Sequence, residues 1–343
     1  MATNRIAKLR SMRTDTAIKA ATTFSEAYDS IQEDESIRYA VGAMQPLDPD
    51  YVANTFAEGD RIKNQLSQSL GAYGYAAEYD YQGSTTNGMQ VRVHSDLDLL
   101  TVATEFYTVQ PPGQVSYPYS GDPLAELKGL RSACIKIISD KFPKVTIDTT
   151  KGKCIALSGG SLRREIDVVI ANWWHTLEYQ SYPLPHYKGV KVLDVKADLR
   201  HENKPFLHNY RLEQKDTATS GNLRKVIRLL KSLKYNADTE VPISSYDIAA
   251  IGYTMPEYLL TASEETELIL LENAKNYLAS LVNNEAARNA LMVPNETRKI
   301  FTDGGATYNG LLRLFSETYD LANDVANALS SSFRKIQDAR IYH

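Results

Sequence analysis

The sequence predicts an α+β protein: a mixed β-sheet in its first part and a helical lobe after it. Three observations carry this. Apolar runs at 97–109 and 168–170 are bounded by polar, glycine- or proline-containing loops, as buried strands are. The pieces at 145–148 and 154–157 approach the second run as a hairpin through Ser158-Gly159-Gly160, which suits a mixed sheet and not a doubly wound one. From Gly221 onward apolar residues recur at three- and four-residue spacing, the period of amphipathic helices. A chain of 343 residues can bury a large core in two lobes. The expected division is 1–210, a sheet core with N-terminal helices, and 211–343, a helical lobe.

In order, residues 14–34 read as a helix, with Ala17, Ile18, Ala21, Phe24 and Ala27 on one stripe. Asp48-Pro49 reads as an N-cap followed by proline at the first helical position, opening a helix that Gly71 and Gly74 end. Residues 76–82 form a short strand and 97–109 a longer one, closed by Pro111-Pro112-Gly113. Residues 123–140 form a helix with Leu127, Leu130, Cys134 and Ile138 inward. Residues 186–199 suggest a strand pair, followed by the polar stretch HENKPFLHNYRLEQKDTATSGN. The segment after Gly221 is a helix with Leu223, Val226, Ile227, Leu230 and Leu233 apolar and Arg224, Lys225, Arg228, Lys231 and Lys234 on its polar face. Ser263 caps a further helix, Val293-Pro294-Asn295 breaks the chain, and a last helix covers about 308–336.

The stretch YDYQGSTTNGMQVRVHSDLDLLTV, 79–102, holds the chemistry. Residues two apart on a strand share a face, so Asp96 and Asp98 project together. Paired carboxylates repel, and a hard divalent cation relieves the repulsion while taking substrate phosphates as its other ligands. Gly83 lets backbone approach closely, and Ser84 offers a hydroxyl and an N–H to a phosphate. An isolated D-x-D is an ordinary solvated pair; the Gly-Ser element before it and the apolar strand after it favour metal binding. Asp167 opens the second apolar run and can sit beside that pair, although a strand-edge ion pair with Arg163 or Arg164 would also satisfy it. Three carboxylates can hold two metal ions for in-line transfer.

Composition excludes several classes. No run of apolar residues is long enough to span a membrane, and the N-terminus lacks the apolar core of a secretory signal. Cys134 and Cys154 are not in a C-x-x-C pair and read as reduced thiols of a cytoplasmic protein; the six histidines lack zinc-site spacing. Net charge is −4, unfavourable for coating nucleic acid. It is unevenly spread: residues 188–234 carry twelve Lys/Arg against five Asp/Glu, while 235–343 carry eight against fifteen.

A Gly-Ser pair, a D-x-D twelve residues on and a later single Asp on a strand resemble the DNA polymerase β-type nucleotidyltransferase superfamily. Within it, the chain is similar to the cyclic GMP–AMP synthase/DncV-like nucleotidyltransferases (CD-NTases), bacterial enzymes of the CBASS anti-phage systems. The resemblance runs over roughly 48–301. It implies a polymerase β-like core, an active site in the cleft beside the helical lobe, and a cytoplasmic enzyme joining nucleoside triphosphates, ATP among them, into a cyclic di- or trinucleotide. It implies two Mg²⁺ or Mn²⁺ ions on Asp96, Asp98 and Asp167, with Gly83 and Ser84 on the β/γ-phosphates. The Leu-Leu-Lys … Ser-Ser-Tyr pattern would put Lys231 on the donor triphosphate, Ser245 on a phosphate and Tyr246 against a base, where stacking contributes about 1–3 kcal/mol. It further implies a product-binding effector protein encoded elsewhere, and regulatory partners. No zinc insertion or strongly basic arm of the animal DNA sensor is present, so activation by DNA is not expected. The alternatives are a template-independent nucleotidyltransferase acting on RNA, protein or a small molecule, and an inactive binding module.

Overall fold

The structure is a computed structural model that describes residues 5–13, 34–92, 96–115 and 118–341, the last as backbone alone from residue 331. The helix expected over 14–34 lies, up to residue 33, outside the described residues.

The chain divides into two units. The sheet unit comprises residues 49–87 and 94–211, and the helical unit residues 1–48, 88–93 and 212–343. This differs from a simple 1–210/211–343 split. Helices α1 (Arg5–Arg13) and α2 (Glu35–Met44) bury Ile6, Leu9, Ile37, Tyr39, Ala40 and Met44 in the core of the helical unit, not against the sheet. Sequence periodicity shows that a helix has an apolar face but not which core receives it.

In the sheet unit, α3 (Pro49–Ser69) leads through a left-handed Gly74 (φ 80°) to β1 (Ala77–Gln82), β2 (Leu97–Val109), α4 (Pro123–Lys141), β3 (Thr146–Asp148), β4 (Ile155–Ser158) and β5 (Ile166–His175). Short helix α5 (Leu177–Ser181), β6 (Lys188–Asp194), β7 (Leu199–Asn203) and α6 (Pro205–Ala218) complete it, apart from the last turns of α6. The sheet runs β1-β2-β5-β4-β3, with β6 on the C-terminal half of β5 and β7 beside β6. It is mixed as the hairpin at 145–157 predicts: β2 and β5 are parallel and every other pair is antiparallel.

Alternation on the two central strands sorts their side chains onto opposite faces. Leu99, Ile166, Val168 and Ile170 pack with Ile62, Leu66, Leu127, Leu130, Cys134 and Ile138 of α3 and α4. Leu100, Val102, Val169 and Ala171 pack on the other face with Val190 and Val192. Asp98 and Asp167 share the parity of this second set and stand at its edge, where the two parallel strands begin.

The polar stretch after β7 is a helix. Proline occupies the first position of α6, and only Leu207 and Leu212 carry its fully buried apolar face, which leaves little periodicity to read. Ser220 and Gly221, both at positive φ, turn the chain into α7 (Asn222–Asn236).

The helical unit is built around α7, with α8 (Ser245–Thr254), α9 (Ile269–Asn283), α10 (Glu285–Ala290) and α11 (Tyr308–Ile341). The expected capping at Ser263 is present: Ser263 and Thr266 form a capping box on a one-turn 3₁₀ helix just ahead of α9. The polar face predicted for α7 is not a solvated one. Arg228 and Lys231 are 7 % and 3 % exposed, because α2, α8, α9 and α11 pack around α7 and close its second face. Burial, then the neighbouring Arg92, Lys234 and Arg228, brings the Lys231 ammonium down to about 7. All three neighbours are cationic, so nothing in this set opposes the shift.

The unfolded chain holds the Lys231 proton up to the ordinary lysine range and the folded chain releases it near neutrality. Stability therefore rises with pH between about 7 and 10, by up to about 1.4 kcal/mol per pH unit. Urea unfolding at pH 7 and pH 9 should show this rise in the wild type and a clearly smaller one in Lys231→Met. Equal slopes in the two proteins would refute it. No helix among the described residues is long and apolar enough to cross a membrane.

Candidate active site

Parallel pairing of β2 and β5 sets Asp98 directly opposite Asp167, flanked by the pairs Leu97–Ile166 and Leu99–Val168. The fully buried leucines, isoleucine and valine on either side lock this register, since a one-residue slip would turn each of them off its own face. Two carboxylates are thereby held on one face by the core itself.

β1 adds a third wall. Gln82 pairs with Asp98, and Gly83 follows at φ 91°. A Cβ on Gly83 would lie 2.6 Å from Asp98 Oδ2, so any other residue there would force the carboxylate or the turn to shift. The next turn is braced from within the unit. Thr86 Oγ1 donates to the Gly83 carbonyl at 2.8 Å, and Asn209 of α6 bonds both Thr86 Oγ1 (3.3 Å) and the Asn87 side chain (3.2 Å). Ser84 lies within this turn.

The electrostatics mark the site. Burial, reinforced by the charges of Asp167 and Asp96, raises the Asp98 carboxyl to about 7. Asp167 has Lys151 Nζ at 3.4 and 3.5 Å from its two oxygens, and Cys154 Sγ lies 3.2 Å from Oδ2. Its cation is thus Lys151 and not the arginines of the strand approach. Burial first, then the contact with Asp167, pushes the Cys154 thiol up to about 12, so it stays protonated and donates.

Asp96 precedes β2 and is exposed. The register that pairs Leu97 with Ile166 sets Glu165 beside it, and the Leu97 amide donates to the Glu165 carbonyl at 3.1 Å. A hydrogen bond to Asp96, then burial, raises the Glu165 carboxyl. Glu165-Ile166-Asp167 repeats the acid-x-acid spacing of Asp96-Leu97-Asp98, a signal present in the sequence and not used. Lys151, Cys154 and Asn209 had no such signal: strand pairing and helix packing bring them in.

Among the described residues, no three His, Cys, Asp or Glu side chains are grouped as they stand so as to hold a metal ion. The donor chemistry still fits one. The oxygens are hard, the charge is uncompensated enough to keep Asp98 from ionising readily, and Mg²⁺ commonly takes only one or two carboxylates before substrate phosphates supply the rest.

The remaining expected residues belong to the helical unit. Ser244 caps α8, accepting from the Asp247 amide at 2.9 Å, so Ser245 and Tyr246 open a helix. Ser245 Oγ lies 2.6 Å from Tyr235 Oη. Tyr246 is 36 % exposed, donates to Asn295 Oδ1 at 3.2 Å, and has the Arg298 guanidinium 5.4 Å from its ring centre. Lys231 Nζ points inward and donates to the Met89 carbonyl at 2.6 Å. It offers no solvent-facing ammonium to a phosphate.

Residues 210–331 match the cGAS/DncV-like nucleotidyltransferase C-terminal helical domain. The cyclic dinucleotide synthase CdnE of Yersinia aleksiciae is 38% identical over 272 residues, spanning 78% of this chain and 71% of that one. A c-di-GMP synthase of Lachnospiraceae bacterium (strain RUG226) is 27% identical over 256 residues, 67% and 72% of the two chains. The structure of a STING-associated CdnE c-di-GMP synthase from Capnocytophaga granulosa superimposes with a TM-score of 0.76 over 94% of this chain and 99% of that one; at 23% identity it speaks to the fold alone. A relative of this identity and coverage, the CdnE of Yersinia aleksiciae, together with the match of the helical domain, makes the chain a member of the cGAS/DncV-like nucleotidyltransferase family.

Proposed function

We propose that this protein condenses two nucleoside triphosphates into a cyclic dinucleotide, with release of two pyrophosphates, as an intracellular signal of bacterial anti-phage defence. The observation that carries the reading is the Asp98–Asp167 pair held in register with Gly83 closed against it. The 38% identical relative named a cyclic dinucleotide synthase supports the product class.

In this reading Asp96, Asp98 and Asp167 hold Mg²⁺ or Mn²⁺. Held there, such ions would supply counter-charge to the triphosphate and would lower the pKa of the attacking hydroxyl. The chain's own residues do the rest. The Gly83-Ser84 backbone and the Ser84 hydroxyl donate to the donor phosphates. Asp167, oriented by Lys151 and Cys154, accepts the proton of the attacking hydroxyl. Ser245 and Tyr246 serve the second nucleotide, Ser245 by hydrogen bonding a phosphate and Tyr246 by stacking on a base. One transfer makes a linear dinucleotide; the same carboxylates then serve the in-line attack that closes the ring. The product acts on an effector protein encoded elsewhere. The location is the cytoplasm.

Purified protein incubated with the four nucleoside triphosphates and Mg²⁺ or Mn²⁺, then treated with phosphatase, should yield a phosphatase-resistant cyclic species by mass spectrometry. Linear or acceptor-dependent products would instead assign it to modification of RNA, protein or a small molecule.

A further inference from the structure

The segment joining the Gly83-Ser84 turn to Asp96 is held from an unexpected side. Residues up to 87 belong to the sheet unit, residues 88–93 to the helical unit, and the chain resumes the sheet unit at 94. Within the helical unit Met89 and Val91 are buried, at 2 % and 1 % exposure, and Met89 is part of its core. Two cations of α7 bond this segment's backbone. Lys231 Nζ donates to the Met89 carbonyl at 2.6 Å. Arg228 Nη1 donates to the Gly88 carbonyl at 2.9 Å, while its Nε reaches the Met44 carbonyl at 2.6 Å. The segment is tightened further by Gln90, which donates to the Arg92 carbonyl at 3.1 Å, and by the Arg92 guanidinium 4.0 Å over the Tyr235 ring.

Burying a charge is costly, and apolar side chains of similar size generally serve a helix core better. Most of the neighbouring buried helix positions are apolar (Val226, Ile227, Leu229, Leu230 and Leu233), with the small Ser232 among them. Two cations in such a place have a task that leucine could not perform, and the carbonyls they reach name it. Hydrogen bonds from these side chains to backbone carbonyls fix a segment lacking regular structure, whose groups would otherwise need water.

We propose that Arg228 and Lys231 are positioning residues that fix residues 88–92 and, through the chain, the Ser84–Asn87 turn before them. Asn209 braces the same turn from its other end. Lys231 therefore acts on the substrate phosphates through the segment and not by touching them. The inference rests on the nucleotidyl-transfer reading for its kinetic consequence but not for its structural one.

Hydrogen exchange read by mass spectrometry, together with kcat and KM for nucleoside triphosphates, tests it in Lys231→Met and in the milder Arg228→Lys. The expected result in either variant is exchange at residues 84–92 accelerated about tenfold or more, and kcat lowered about tenfold with a smaller change in KM. Unchanged exchange at 84–92 with KM raised would show Lys231 touching phosphate directly and would overturn the proposal. Accelerated exchange with kcat and KM both unchanged would overturn it as well, since nothing that matters would have been positioned. A wild type without product would defeat the functional reading alone; exchange at 84–92 would still decide whether the two cations hold the segment. Arg228→Lys keeps a cation and one donor, so its effect does not depend on Lys231→Met folding normally.

Discussion

Asp98→Asn is expected to abolish product formation, by at least about a thousandfold, and at the same time to make the metal-free protein more stable above neutral pH. The first effect follows from position. Asp98 is paired across the central strands with Asp167, and an amide cannot replace a carboxylate as a cation ligand. A thousandfold corresponds to about 4 kcal/mol of transition-state stabilisation. The second effect follows from electrostatics. The Asp98 carboxyl lies at about 7, well above the ordinary aspartate range, because burial and two neighbouring carboxylates disfavour its charge. Between about pH 4 and 7 the folded chain holds a proton that the unfolded chain has released. Stability falls with rising pH across that window, and the full cost is present above pH 7. The shift corresponds to an upper limit of about 4 kcal/mol. Asparagine has nearly the same shape and no charge, so it recovers part of this cost. Urea unfolding in EDTA at pH 8 should show Asp98→Asn more stable than the wild type. A variant that is less stable, or that keeps measurable turnover, would contradict the assignment. Such a trade of stability for function is expected where like charges are held together for a ligand.

Much of this site was legible before any coordinates. The strand at 97–109 is bounded by Asp-Leu-Asp on one side and Pro-Pro-Gly on the other, and its bounds coincide with those of β2. Asp167 was readable as a strand-opening acid because the apolar run after it is unbroken. What sequence could not supply were relations that depend on strand partners. Nothing at Cys154 or Lys151 distinguishes them until β4 and β5 pair and set Ala156 against Asp167. α7 shows a different limit. A helix with apolar and basic stripes reads as one-sided, but a helix packed on all sides can also bury charges if backbone carbonyls meet them. The sequence pattern therefore points Lys231 outward, toward phosphate, whereas the Met89 carbonyl holds it inward. α1 and α2, which the sequence reading does not place, illustrate a third: the core that receives them is set by residues almost two hundred positions away, as in the bond from Arg228 to the Met44 carbonyl.

Gly83→Ala is expected to cost about a hundredfold or more in turnover with only a modest loss of stability, and a second glycine separates the two causes. Gly83 has φ 91°, a region L-residues rarely adopt, and strain of this kind costs on the order of 1–3 kcal/mol. Its new Cβ would also stand 2.6 Å from Asp98 Oδ2, inside van der Waals contact. Asp98 is fixed by its strand, so the carboxylate must rotate or the turn carrying Ser84 must withdraw. Either motion misplaces a reacting group, and misplacement by about 1 Å can cost a hundredfold in rate. Gly159 provides the comparison. It too is left-handed, at φ 68°, but a Cβ there meets nothing within 4 Å. Gly159→Ala therefore carries backbone strain of the same order in the same unit without touching the carboxylates. Thermal unfolding should report similar losses for the two variants, while turnover falls steeply in Gly83→Ala and stays within a few fold of wild type in Gly159→Ala. Equal turnover in the two would mean that backbone strain alone, and not the contact with Asp98, explains the glycine at position 83. A normal rate in Gly83→Ala would remove the Gly83-Ser84 turn from the active site altogether.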